Sequence, residues 1–383
     1  MRLTLPAQPG VVDVTSARPP PQAVALHDGS VLQRLTGPVR DRAEVPPVRW
    51  GRRLVTGYGT AATLLLVAIA LVGDHTAVTF TAALVSFWWL LPAPFLLLLA
   101  AVPAALGVRT RLAAAAVAVP AVVCLVLQGP DVAHRLPGLG GDGPTDLRVA
   151  TSNVTHGQPI DGVARLVAEH HPDVLLLQEV TPERRADLQA ALPGYRYVRF
   201  GPVTDGDGNA VLSTHPITGG RPVTGLPAGA RATELVDVDV AGRDLAVLSV
   251  HLASPCIGCP GRARANPAGD TGQAAEVRLV EARRYAAVVR QLHAEGRPVL
   301  LGGDLNSAPL NRPLHVLTGA GLTDVHRAVG TSPQLTRGPG PGLARVDAVL
   351  VAGLVPVGDA EGARGASTHA PVVADLRWPT SSR

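Results

Sequence analysis

Apolar residues in this chain fall into two patterns: three long uncharged runs, then short runs that alternate with amphipathic stretches. Leu54 to Gly73 carries no charge and is rich in Leu, Val and Ala, long enough to span a hydrocarbon core of roughly 30 Å. Asp74 and His75 interrupt it. Thr76 to Val108 is again uncharged, with Phe87-Trp88-Trp89 and prolines at Pro92, Pro94 and Pro103. After Arg109 and Arg111 comes a shorter run, Leu112 to Leu127. One run of that length also suits a buried core helix, but three in succession do not. The pattern predicts three transmembrane helices.

Past residue 145 the periods shorten. Leu147 to Asn153, Asp173 to Val180, Asn209 to Ser213, Pro298 to Asp304, Ala344 to Val351 and Ala370 to Trp378 read as strands. Arg231 to Val240 alternates, turns at Ala241-Gly242 and returns as Asp244 to His251, a predicted antiparallel hairpin. Ile160 to His170, Pro182 to Leu192 and Ala274 to Ala294 have helical spacing, and Asn311 can cap a helix over Arg312 to Thr318. Mixed strands and helices with a hairpin predict two packed sheets covered by helices.

Charge refines both halves. Every basic residue is Arg, and the net charge of +4 invites a nucleic-acid reading. Residues 146–383, however, hold 23 of the 34 arginines and 23 of the 30 acids, so that part is neutral. The excess lies in the N-terminal third. Arg49, Arg52 and Arg53 precede the first run, Arg109 and Arg111 precede the third, and the intervening loop offers only Asp74 and His75. The positive-inside rule then puts the N-terminal tail and the arginine loop in the cytoplasm and everything after residue 130 outside. Residues 1–52 are Pro-rich, lack the pattern of a signal peptide and read as a disordered cytoplasmic tail. Residues 53–130 are the membrane region and 131–145, rich in Gly, a linker. Cys124 reads as a small buried hydrophobe, and Cys256 with Cys259 as a local disulfide in an oxidising compartment.

Polar residues cluster at strand ends. Asn153, Glu179, His251, Asp304 with Asn306, Asp347 and His369 each lie at or beside an apolar run. Any one of these reads as a cap, a turn or a satisfied core group, but six such placements together do not. Carboxylates, amides and two imidazoles suit Mg²⁺-assisted attack on a phosphoester.

The order of motifs resembles the endonuclease/exonuclease/phosphatase superfamily: Ser-Asn153, Leu-Leu-Gln-Glu179-Val, Gly-Asn209-Ala-Val-Leu-Ser, Val-His251-Leu, Gly-Gly-Asp304-Leu-Asn306, Arg-Val-Asp347-Ala-Val-Leu and Ser-Thr-His369-Ala-Pro-Val. The resemblance covers residues 146–378. It implies a four-layer α/β/β/α sandwich over 146–383, with the site at one end of the sheets. By the resemblance Glu179 is the main Mg²⁺ ligand (Mn²⁺ can substitute), with Asn153 beside it. Asp304 orients and deprotonates the attacking water, and Asn306 holds a phosphate oxygen. His369, oriented by Asp347, stabilises developing charge, and His251 and Asn209 contact the substrate. Joined to membrane helices, the fold also resembles, by architecture, the teicoplanin-resistance membrane proteins of this superfamily. One departure stands out: the superfamily usually has Ser-Asp-His where this chain has Ser367-Thr368-His369.

The expected function is therefore an outward-facing, membrane-anchored, Mg²⁺-dependent phosphohydrolase acting on a lipid-linked or envelope phosphate ester. Its partners would be the lipid bilayer and that substrate, with no protein partner inferred. An extracytoplasmic nuclease shares the chemistry but needs a basic groove that the neutral charge does not supply. A non-catalytic membrane binding module with the same fold is the third alternative.

Overall fold

The computed structural model describes residues 46–106, 108–141, 143–156, 158–255 and 268–380. The predicted tail over residues 1–45 and the Cys256–Cys259 pair lie outside them. Three helices are long and apolar enough to cross a membrane, Val48–Val72, Ser86–Ala105 and Arg111–Ala133. The first helix begins at Pro46, so Arg49, Arg52 and Arg53 are helical rather than part of a tail. Loss of charge marks where an apolar run starts, not where a helix starts, and Arg is a good helix former. The third continues through Asp131 to Ala133 for the same reason. Within the run from Thr76 to Val108, the short helix Ala77–Leu84 precedes the second span, which is itself interrupted between Ser86–Leu90 and Ala93–Ala105. The interruption falls at Leu91-Pro92, where proline withholds a backbone donor. Cys124 is buried and free.

Twelve strands among the described residues form two six-stranded sheets. The first runs β11 (Val355–Glu361), β12 (Val372–Arg377), β1 (Leu147–Asn153), β2 (Val174–Val180), β4 (Gly208–Ser213), β3 (Tyr197–Phe200). The second runs β5 (Ile217–Pro222), β6 (Glu234–Val240), β7 (Arg243–His251), β8 (Val299–Asp304), β10 (Asp347–Ala352), β9 (Thr323–Asp324). Pairs β1–β2 and β7–β8 are parallel and the other pairings antiparallel. Leu176, Val247, Leu300 and Val349 pack between the sheets. Helix Thr271–Ala294 buries Ala282, Tyr285 and Val289 on the outer face of the second sheet. Helix Asp161–His170 buries Val163 and Leu166 on the first. The layers are α/β/β/α.

Register gathers the strand-end residues. His251 pairs with Asp304 across β7–β8, and Asp304 with Asp347 across β8–β10. In the facing sheet Asn153 pairs with Gln178, next to Glu179. Gly303 lets β8 reach this position: at φ +151° a Cβ would stand 1.8 Å from Val250 O, space that only glycine leaves.

The apolar helices and the loops between them contact several segments of the sandwich. Asn311 Nδ2 donates to Asp74 Oδ1 at 2.9 Å, and the Arg278 guanidinium lies 4.6 Å from the Phe80 ring. Trp88 Nε1 donates to Leu343 O at 3.1 Å. Asp131 pairs with His326 at 3.3 Å, and Arg135 Nε donates to Thr331 O at 2.7 Å. Asn311 sits at the start of its helix as expected, but its side chain makes no cap there. Its oxygen accepts from Ala308 N and its amide is spent on Asp74.

Candidate active site

Asp304 is the centre of the cluster. Its Oδ2 accepts from Asn153 Nδ2 at 3.1 Å and lies 3.5 Å from His251 Nε2 and 3.7 Å from His369 Nε2. Its Oδ1 accepts from the backbone N of Asn306 at 2.8 Å. Asp304 is almost wholly buried, and burial, with Asp347 adding to it, raises its carboxyl to about 6 against the pull of His369. A carboxyl in that range exchanges protons near neutral pH.

His369 enters from the segment before β12. Ser367 Oγ anchors that segment on Asn153 O at 2.6 Å, and His369 Nδ1 lies 2.8 Å from Asp347 Oδ2. Burial, joined by Arg337, disfavours its charged form, but Asp347 and then Asp304 outweigh both and raise His369 to about 9. It is an imidazolium at neutral pH. His251 is the opposite case. Burial, then Arg231, His369 and Arg337, hold it well below its usual pKa, so it stays neutral, and its Nδ1 has no partner among the described residues.

Glu179 is held apart by a bulge. The register of β2 against β4 shifts between Leu177 and Val180, and Glu179 takes φ +61°, a left-handed conformation that is strained for a side chain with a Cβ. Its Oε1 accepts from Asn153 Nδ2 at 2.9 Å, and its Oε2 from His156 N at 2.7 Å. With 19% of its side chain exposed, against 2% for Asp304 and 1% for Asp347, it is the carboxylate of this group open to solvent.

A family model described as the Endonuclease/Exonuclease/phosphatase family matches residues 150–369, more than half of the chain and all of this cluster. The chain belongs to that family. Its two sheets and covering helices form the family's α/β sandwich, preceded by the three apolar helices. No curated protein matches the chain. Among solved structures, an endonuclease/exonuclease/phosphatase from Beutenbergia cavernae is 26% identical, with TM-score 0.46 over 62% of this chain and 73% of that one. One from Bacteroides vulgatus is 17% identical, with TM-score 0.49 over 61% and 99%. A 3′ phosphatase from Neisseria, solved with a product DNA hairpin, is 18% identical, with TM-score 0.45 over 61% and 100%.

Seven of the eight residues singled out in the sequence are joined in this family site by contacts. Asn209 stands apart: its Nδ2 reaches Thr233 Oγ1 at 3.5 Å, and its Oδ1 is buried without a partner among the described residues. Asn306 lies beyond the end of β8 at φ +45° and donates one amide hydrogen to Leu252 O at 2.9 Å, the other having no partner among the described residues. Sequence reasoning missed Arg231, 3.5 Å from Asp207, and Arg337, whose Nη1 reaches Thr368 Oγ1 and His369 Nε2. Arg337 begins a Gly/Pro-rich loop, where no periodicity exists to flag it.

The donor set fits a hard divalent ion, since carboxylate and amide oxygens outnumber nitrogens and no thiolate is present in the cluster. Atoms of Asp304, Asp347 and His369 lie within 4.8 Å of one another, close enough to hold an ion. Asp347 Oδ2 is nevertheless bonded to His369, its Oδ1 is buried without a partner among the described residues, and all three residues are shut from solvent. Glu179, open on one side, better suits an ion that keeps most of its waters, whereas Asn153, expected as a ligand, turns its Nδ2 to Glu179 and Asp304 and its Oδ1 accepts from Thr155 N at 2.9 Å.

Proposed function

We propose that this chain is a membrane-anchored, Mg²⁺-dependent phosphohydrolase that acts on a lipid-linked or envelope phosphate ester. The observation that carries the reading is the buried Asp304, a carboxyl raised to about 6, within 3.7 Å of an imidazolium at His369. An acceptor of protons and a fixed cation side by side are what in-line hydrolysis of a phosphoester uses. Asp304 takes a proton from water as the water oxygen bonds to phosphorus. The bond from phosphorus to the leaving oxygen breaks, and that oxygen leaves with the electron pair and gains a proton from solvent. Asn306 offers its free amide hydrogen to one phosphoryl oxygen, and His369 stabilises the charge growing on another. His251 stays neutral beside Asp304 and faces the phosphate. Glu179 would hold Mg²⁺ or Mn²⁺, with Asn153 orienting its carboxylate, and the ion would supply positive charge at the phosphoryl group.

The lipid part of the reading rests on the docking of the helices. The segment that carries Asn306 continues to Asn311, which is bonded to the loop between the first two spans, and the loop after Arg337 is bonded to Trp88. Such docking supports a substrate whose phosphate is carried at headgroup level. Nuclease activity is the second reading, disfavoured by the balanced charge of residues 146–383.

The test is phosphate release from full-length protein in detergent, on lipid diphosphates against single- and double-stranded DNA, with Mg²⁺ or with chelator. Chelator should stop release. Asp304→Asn, nearly isosteric but unable to accept the proton, should lower turnover about 10²–10⁴-fold. Near-full activity of that variant would remove Asp304 from the mechanism. A reporter active only outside the cytoplasm, fused after Arg383, should be active; activity from a cytoplasm-only reporter would reverse the orientation.

A further inference from the structure

We infer that Arg337 makes this site select a terminal phosphate, whose phosphorus carries three unesterified oxygens, over a phosphodiester with two. This rests on the phosphohydrolase reading. The loop Arg337-Gly-Pro-Gly-Pro-Gly-Leu343 is closed at its base, where Leu343 N donates to Arg337 O at 2.7 Å and Arg337 N to Ala344 O at 2.9 Å. Arg337 also forms a backbone bridge with His369, and the neighbouring Ala370 N donates to Thr336 O at 2.7 Å. The backbone that carries the guanidinium is therefore fixed against the backbone that carries the imidazole. Arg364 Nη2 secures the entry of the loop on Leu335 O at 2.7 Å, and Trp88 its exit on Leu343 O at 3.1 Å.

At the end of this support the guanidinium donates to Thr368 Oγ1 and stands against the Nε2 edge of His369, where it opposes the charge on that ring. Among the described residues no carboxylate lies within ion-pair distance of it. Arg231, the other arginine near His251, is neutralised in part by Asp207 at 3.5 Å. Arg337 is thus an uncompensated cation, exposed at the rim of a buried site, beside the nitrogen that faces the phosphoryl group. Thr368 gives the neighbouring position a neutral hydroxyl, so an arriving anion meets no carboxylate there. Of the unesterified oxygens, Asn306 and His369 take one each. A monoester or a terminal diphosphate leaves a third, and a guanidinium presents parallel N–H groups matched to it. In a diester that position carries the second substituent, which Arg337 opposes by bulk and cannot bond.

The probes are p-nitrophenyl phosphate and bis-p-nitrophenyl phosphate, with the same leaving group, acting on the full-length chain in detergent with Mg²⁺. In Arg337→Gln the monoester-to-diester ratio of kcat/KM should fall roughly ten- to hundredfold, the range for one charge-assisted hydrogen bond. Arg337→Lys should recover part of it. Any effect on His369 or on folding alters both rates and cancels in the ratio. A ratio within about twofold of the parent would overturn the inference. If the parent hydrolyses neither probe, the hydrolase reading fails, and Arg337 is then judged by calorimetric binding of inorganic phosphate against dimethyl phosphate. Arg337→Gln should weaken phosphate binding by the same factor beyond dimethyl phosphate, and equal weakening would overturn the inference independently.

Discussion

Asp347→Asn isolates the charge that keeps His369 protonated. The carboxylate sits 2.8 Å from Nδ1 inside a buried site, where burial alone favours the neutral ring. The rise from the ordinary 6.5 to about 9 corresponds to about 3 kcal/mol, at roughly 1.36 kcal/mol per pKa unit. With the carboxylate gone, burial and Arg337 are opposed by Asp304 alone, and the pKa returns to about 6.5, the ordinary value, or lower. At pH 7.5 the imidazolium fraction then drops from nearly all to roughly a tenth, so kcat/KM falls at least about tenfold. The alkaline limb of the pH–rate profile should move from near 9 to 6.5 or below, and NMR titration of the labelled imidazole should move with it. Stability carries the same signature. Because the folded-state pKa lies above the unfolded one, this stabilisation is complete below pH 6.5 and is lost as pH rises through 9. Melting of the parent should thus lose this contribution between pH 6.5 and 9, and the variant should not show it. An unmoved alkaline limb, or a His369 still titrating near 9 in the variant, would refute the coupling.

Three further outcomes follow from the geometry. Glu179→Gln removes a formal charge where a divalent ion would sit, so raised Mg²⁺ or Mn²⁺ should restore part of its rate but none of the rate of Asp304→Asn; identical half-saturation by metal in parent and both variants would remove Glu179 as a ligand. Gly303→Ala places a Cβ 1.8 Å from Val250 O, whereas Gly302→Ala meets only the Leu176 side chain at 2.7 Å, so the first should fail to fold and the second should lower the melting point; comparable melts would contradict the β7–β8 packing. Asp74→Ala strands the buried Asn311 amide, which costs about 1–3 kcal/mol, and an unchanged melt of the full chain in detergent would mean that the membrane loop does not dock there.

Strand ends were the legible part of this sequence, for a physical reason. A buried strand demands an unbroken apolar run, and a polar residue that terminates one is visible against it, as Asn153, Glu179, Asp304 and Asp347 are. The edge strands β3, β5, β9 and β11 were missed because their exposed faces impose no such run: β5 reads Ile-Thr-Gly-Gly-Arg-Pro. The bulge that turns Glu179 out of β2 left no trace either, since it depends on how β4 pairs with β2. Asn311 was legible as a residue type suited to a helix start, but the sequence could not show that Asp74, 237 positions away, would take its side chain. Arg337 was illegible altogether. Its importance comes from a backbone bridge to His369 that only the folded chain makes.

The contacts between anchor and sandwich bear on how the site works, because they fall on segments that carry site residues. Asn306 and Asn311 lie in one short connection after β8, and Asn311 is buried on Asp74. Leu252, whose carbonyl holds Asn306, is followed by Ala253, whose N donates to Glu281 Oε2 and whose carbonyl accepts from Arg278 at 2.8 Å each. Arg278 is itself covered by Phe80 of the membrane region. On the other flank Trp88 holds the loop that presents Arg337. Freeing the sandwich from its helices would therefore uncover the buried Arg278, which holds Ala253 two residues from His251, and the buried Asn311, five residues from Asn306. Each would then exchange a protein partner for water, which loosens the segment it holds. The apolar helices thus support segments that carry site residues, and placement of Asn306 and Arg337 depends on them more than placement of Asp304, which the register of three central strands already fixes.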